Sequence, residues 1–275
     1  MAYSQEKVMS FLEHTEELLY RLRVIFFSVI ITGFAVAFFP TDIRQVFSSF
    51  FAPFSSSIEY RPLVSFLMRR MAADLLPAEA SLIAGGLMDT AYVYLMLSFL
   101  VGIFLSSPIT SYQLYKFFSP ALYKEERRYA VFVIVPFVVL FIFGGLLAYT
   151  IILPITFRIL MWFITSAAAL PLINVQDFIT MVVTLVLGVG FLYTAPIFLA
   201  LLVDRGILSV DHLTSQRKMV YAAFIVVTAV VTPDPTIVSD VILLVPFLVI
   251  YEVTVLISKR LEKKRLEREN TLSTG

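Results

Sequence analysis

The sequence predicts an all-α integral membrane protein with six transmembrane helices, both termini on the cytoplasmic side, and the last two spans short. Three observations predict this. Of 275 residues, 59% are hydrophobic and 15% charged, whereas a soluble domain carries about 25% charged and roughly 45–50% apolar residues. The apolar excess lies in runs long enough to cross a bilayer, which takes about 20 residues of helix for a core of roughly 30 Å. The lysines and arginines, finally, fall unevenly on the two sides that those runs define.

The first run is Leu22 to Phe39, closed by Pro40 and interrupted only by Arg23. Thr90 to Tyr115 follows with no charge, then Tyr129 to Phe157, which carries Pro136 and Pro154. Phe178 to Val203 is the fourth, with Gly188, Gly190 and Pro196 inside it. Met219 to Pro233 is short, reaching about 22 Å at 1.5 Å per residue, and Ile237 to Ser258 closes the set. The tight Pro233-Asp234-Pro235-Thr236 turn between these two suggests a short hairpin that thins the bilayer locally. Residues 155–176 are also apolar, with Arg158 alone charged. They read as a bent continuation of the third span or as an interfacial segment. In the long loop 41–89, the stretch around Ser65 to Leu76 suits an amphipathic helix on the outer surface.

With the N-terminus inside, the inner segments hold Lys7, Arg21, Arg23, Lys116, Lys124, Arg127, Arg128, Arg205, Arg217, Lys218 and the six basic residues of the tail. The outer loops hold only Arg44, Arg61, Arg69, Arg70 and Arg158. This excess sets both termini in the cytoplasm. Residues 1–260 form one membrane domain, and 261–275 a charged cytoplasmic tail, read as a fraying helix and then disorder. The polar, glutamate-bearing N-terminus fits neither a secretory leader nor an Arg-rich transit peptide. A prokaryotic plasma-membrane protein made without a cleaved leader is therefore expected.

An enzyme reading finds little support. The chain has no cysteine and two histidines, His14 and His212. It lacks the phosphate-cradling Gly-x-x-x-x-Gly-Lys-Ser/Thr loop, the zinc-binding His-Glu-x-x-His helix and the Gly-x-Ser-x-Gly nucleophile turn. No cofactor, metal or nucleic-acid site is expected. Asp240 and Glu252 are the carboxylates within the apolar runs. They read either as helix-end groups reaching water or as markers of an ion pathway. A small-molecule or ion secondary transporter is the alternative function, although the broken helices and paired buried charges usual in that class are missing.

Two clusters remain, both at predicted cytoplasmic ends of spans. In Ser10 to Arg23, Glu13, Glu17 and Arg21 follow one another at i, i+4 spacing, so one helix face runs acid, acid, base into the membrane. Phe117 to Arg128 is a charged loop between the second and third spans. Either one alone reads as an ordinary solvated segment.

Together they resemble the TatC component of the twin-arginine translocase. His14-Thr-Glu-Glu17-Leu18-Leu19-Tyr20-Arg21-Leu22 is similar to the family's His-Leu-x-Glu-Leu-Arg-x-Arg-Leu motif. Phe117 through Arg127 fills every position of its Phe-x-x-Pro-x-Leu-Tyr-x-x-Glu-Arg motif. Thr232-Pro233-Asp234-Pro235 and Pro246 to Glu252 match further on. Leu19 stands where the family has Arg, and Thr194 where many members have Glu or Gln before Pro196.

The resemblance implies a receptor for signal peptides with consecutive arginines on folded cargo proteins, exported on the proton-motive force. It implies single-span TatA/TatB-type partners and an oligomer within the lipid bilayer. The residues it points to for the peptide are Glu17, Glu126, Arg21, Arg127, Phe117, Pro120, Leu122 and Tyr123. Two carboxylates suit two guanidiniums, since each planar fork of donors matches a carboxylate as a lysine does not. Thr194, Pro196, Gly188 and Gly190 form an expected intramembrane face for a partner's helix, and Pro233 and Asp234 a periplasmic turn.

Overall fold

The computed structural model describes residues 11–41, 62–118, 127–232 and 237–273. In chain order the elements are α1 (Phe11–Ala37), α2 (Leu63–Leu75), β1 (Ser81–Ile83), α3 (Asp89–Phe118) and α4 (Arg127–Leu147). A five-residue π-helical turn (Ala148–Ile152), α5 (Leu153–Ser166), β2 (Leu172–Asn174), α6 (Val175–Asp204), α7 (Val210–Ser215), α8 (Arg217–Val231) and α9 (Ile237–Ser273) complete them. Among the described residues, five helices are long and apolar enough to cross a membrane: Thr15–Ala37, Asp89–Phe117, Val133–Ser166, Val175–Asp204 and Ser239–Glu267.

Two expectations change here. Of the last two predicted spans only α8 is short: it has 15 residues, about 22 Å of helix. By length α8 falls outside the five. The final helix is long, with 29 residues in its candidate span. The segment 261–273, set apart in the sequence as a tail, continues that helix without a break to Ser273. Residues 155–166 extend the third span, and its 34 residues include the π-helical turn. The turn precedes Pro154, whose missing N–H and bulky ring spoil the usual bond to the Thr150 carbonyl.

α6 is the central helix. Half of its candidate span is buried, against 11% for that of α1. On one side Phe191 meets Phe141 of α4, ring centroids 4.9 Å apart. On another, the Tyr193 hydroxyl donates to the Leu243 carbonyl of α9 at 2.6 Å, beside a stacked Phe224–Phe247 pair that joins α8 to α9. This aromatic layer welds α4, α6, α8 and α9 into one body. α1 lies outside it, held chiefly by α3.

The two ends of the bundle are built differently. At one end β1 and β2 pair in parallel, Ser81 with Leu172 and Ile83 with Asn174. The Asn174 side chain accepts from Gln176 N to cap α6 and donates to Asp89 at 3.3 Å. Asp89 in turn accepts the Gly85 and Gly86 amides at 2.8 and 2.9 Å. One carboxylate thereby ties the starts of α3 and α6 together. The amphipathic helix expected near Ser65–Leu76 is α2, which buries Val64 and Leu75. Its Asp74 accepts from the Tyr149 hydroxyl at 3.0 Å and from Arg70 Nε at 3.1 Å.

The other end carries Glu17, the end of α3, the start of α4 and α7. There Arg265, about two turns beyond Ser258 at the end of the apolar part of α9, donates to the Val203 carbonyl at the end of α6. Glu262 accepts from the Val210 amide at 3.3 Å, and the Tyr251 hydroxyl donates to Leu213 at 2.9 Å. Gly206 adopts φ +72°, and a Cβ there would collide with the Arg265 guanidinium. Glycine at this position therefore serves both the left-handed turn and the room for Arg265.

Candidate functional site

Glu17 and Arg21 occupy successive turns at the start of α1. Arg21 Nε donates to Glu17 Oε1 at 3.0 Å, and Nη2 donates to the same oxygen. Nη1 reaches across to Gln113 Oε1 of α3 at 3.4 Å. The side chains of Arg21 and Glu17 are only 14% and 17% exposed, so water screens this pair less than it does an open surface pair. Glu17 Oε2 is buried and has no hydrogen-bond partner among the described residues. Leaving such an acceptor unpaired costs about 1–3 kcal/mol. The site is thus an acceptor with half of its capacity unused.

The α1–α3 crossing fixes this geometry. A Cβ on Gly102 would lie 2.7 Å from the Gly33 nitrogen, and one on Gly33 would lie 2.8 Å from the Phe99 ring. Thr32 Oγ1 donates to the Gly102 carbonyl at 2.9 Å. Two glycines with a hydroxyl between them let the backbones touch, as in close membrane-helix packing. Eleven residues along α3 from that contact stands Gln113, and twelve back along α1 stands Arg21. Both are roughly 16–18 Å from the crossing on the same side.

Starting at Leu22, the residue after Arg21 on α1, a cavity of about 410 Å³ runs along the helix, lined by Leu22, Ile25, Phe26, Val29, Ile103, Ser107, Thr110, Phe137, Phe141 and Phe191. Ser107 spends its hydroxyl on the Phe104 carbonyl, so it adds little polarity to the wall. An ionic acceptor therefore adjoins a greasy groove.

The last turn of α3 presents Lys116 above the Tyr112 ring at 4.8 Å and a half-buried Phe117. Arg127 opens α4. Pro120, Leu122, Tyr123 and Glu126 lie outside the described residues, as do Pro233 and Asp234. The intramembrane set is packed inside the chain. A Cβ on Gly190 would meet Phe141 of α4 at 3.0 Å, and one on Gly188 would meet Val231 of α8 at 2.7 Å. Thr194 is 2% exposed and donates to the Phe191 carbonyl at 2.7 Å, and Pro196 is buried in the same helix. The close packing expected for a partner is used within the monomer.

The two carboxylates of the last span also differ from helix-end groups in open water. Asp240 is 8% exposed and accepts from Thr232 at 3.4 Å. Glu252 pairs with Arg217 at 3.0 Å and accepts from the Tyr221 hydroxyl at 2.7 Å. Sequence reasoning missed Gln113, the groove, and Arg217 and Tyr221 as partners of Glu252. Only an Arg at the start of α8 and a Glu near the middle of α9, on antiparallel neighbours, hinted at the last of these.

The family model for the Sec-independent protein translocase protein TatC matches residues 13–246. The chain belongs to the TatC family. It is 28% identical over 256 residues to the TatC of Aquifex aeolicus (strain VF5), covering 93% of this chain and 97% of that one. It is 30% identical over 256 residues to TatCy of Bacillus subtilis (strain 168), covering 93% and 91%. A crystal structure of the twin arginine translocase receptor TatC superposes with a TM-score of 0.66 at 27% identity, over 90% of this chain and 99% of that one. The same receptor in DDM gives 0.68 at 26% identity, with the same coverage. This TatC chain is thus a membrane protein and a component of the Sec-independent protein translocase, a transport subunit that works with other Tat subunits.

Proposed function

We propose that this TatC is the receptor and core subunit of the twin-arginine translocase, binding the twin-arginine signal peptides of folded cargo at the cytoplasmic face for export driven by the proton-motive force. The observation that carries the reading is Glu17: a mostly buried carboxylate with one oxygen unpaired among the described residues, beside a groove that is apolar almost throughout. Signal peptides of this class join an arginine pair to an apolar stretch, and the site offers an acceptor for each part. Glu126, in the loop whose motif is complete from Phe117 to Arg127, supplies the second carboxylate. Phe117, Pro120, Leu122, Tyr123 and Arg127 shape the surface around it. Guanidinium forks bind carboxylates in two-point fashion where ammonium groups cannot, so arginine is favoured over lysine.

In this reading α8 counts as a short fifth span paired with α9, for six spans in all, and the Lys/Arg distribution sets both termini in the cytoplasm. TatA/TatB-type single-span subunits are the partners, in an oligomer within a prokaryotic plasma membrane. Purification of the chain together with a reporter bearing a twin-arginine leader tests the proposal. Retention of that reporter and loss of a Lys-Lys control are expected. Equal retention of both overturns the reading.

A further inference from the structure

Glu17 already holds an arginine, and that arginine is the chain's own. We propose that Arg21 is a resident competitor: it occupies Glu17 in the cargo-free protein, and a cargo guanidinium binds Glu17 only when Arg21 gives up Oε1. The inference rests on the receptor reading above and adds an exchange step to it.

Three features of the geometry support exchange. Arg21 directs both Nε and Nη2 at the single oxygen Oε1, where a side-on guanidinium places one donor on each oxygen. Glu17 Oε2 is buried and unpartnered among the described residues, so it is an acceptor left over for an incoming guanidinium. A two-point fork from cargo needs both oxygens, and one of them is taken. Addition without exchange would leave two guanidiniums on one carboxylate in a site only 14–17% exposed, where one negative charge cannot offset two positive ones. Gln113 Oε1 holds the third nitrogen of Arg21, so α3 helps keep the competitor in its resting place.

The consequence is a filter. A lone cationic side chain meets a Glu17 whose Oε1 is already paired, whereas a better-placed fork gains the unused Oε2 as it replaces Arg21. The resident arginine thereby raises the threshold for binding and sharpens discrimination against lysine.

Affinity of a synthetic twin-arginine signal peptide for the purified chain in nanodiscs tests this, with Arg21→Gln, Arg21→Lys and Glu17→Gln measured beside the unaltered protein. Arg21→Gln and Arg21→Lys are both expected to tighten binding roughly two- to fivefold, the range set by loss of a competing ion pair. Arg21→Lys keeps the positive charge and removes the fork. Tightening in Arg21→Gln alone would therefore reduce the effect to net charge and overturn the exchange. Unchanged or weakened binding in both overturns it as well. If Glu17→Gln binds as tightly as the unaltered chain, or a Lys-Lys peptide as tightly as the twin-arginine one, the receptor reading itself fails.

Discussion

Gly102 of α3 stands so close to Gly33 of α1 that an added Cβ would lie 2.7 Å from the Gly33 nitrogen. That contact carries mechanical weight, because α1 is the least buried of the five spanning helices and yet bears Glu17 and Arg21. Gly102→Val is expected to push α1 off α3, destabilising the chain by about 1–3 kcal/mol as overpacking does. A lowered melting temperature in detergent, with weaker cross-linking between cysteines placed at positions 21 and 113, checks it. An unchanged melting temperature and cross-link would show that α1 is held by something else.

At the same end, Arg265 reaches back to the Val203 carbonyl under Gly206. The charged end of α9 is therefore expected to act as a clasp on the α6–α7 connection. Removing residues 261–275 should speed amide hydrogen exchange across residues 203–213 while leaving α3 unaffected. Gly206→Ala should do the same to a smaller degree, since a φ of +72° costs a non-glycine residue about 1 kcal/mol.

At the opposite end Tyr149, in the π-helical turn, donates to Asp74 of α2. Tyr149→Phe should remove this bond and loosen α2, costing roughly 1.5–3 kcal/mol as hydrogen bonds to charged groups do. Faster hydrogen exchange over residues 63–75 is the readout, and Asp74→Asn should have a milder effect because it keeps an acceptor.

Glu252, Arg217 and Tyr221 tie α8 to α9. Both charged side chains are about 40% exposed, so a double-mutant cycle with Arg217→Met and Glu252→Gln should give a coupling of only about 0.2–1 kcal/mol. Tyr221→Phe combined with Glu252→Gln reports the second bond. A coupling well above that range would mean that the pair sits in a far drier setting than its exposure indicates.

Much of this architecture was legible from local pattern alone. Uncharged runs such as Thr90–Tyr115 announced their helices because a bilayer admits few charges, and the Glu17–Arg21 pair followed from i, i+4 spacing. The length of α9 did not. Its charged residues 261–273 read as a helix fraying into disorder because nothing local marks Arg265 as a cap for a carbonyl 62 residues away. Gln113 was equally hidden, since its partner Arg21 is 92 positions distant. The small residues Gly188 and Gly190 leave room for close neighbours, but composition does not say which; within the chain Val231 and Phe141 fill that room. The loop 119–126 was legible only by its motif.

The central claim is that Glu17 and Glu126 together hold the arginine pair of a signal peptide. Site-specific cross-linking of a twin-arginine signal peptide to the chain in membranes measures it most directly, comparing Glu17→Ala, Glu126→Ala and the double variant with the unaltered protein. Each single change is expected to reduce the cross-link several-fold and the double change to bring it to the level of a Lys-Lys peptide. An undiminished cross-link in the double variant would contradict the account.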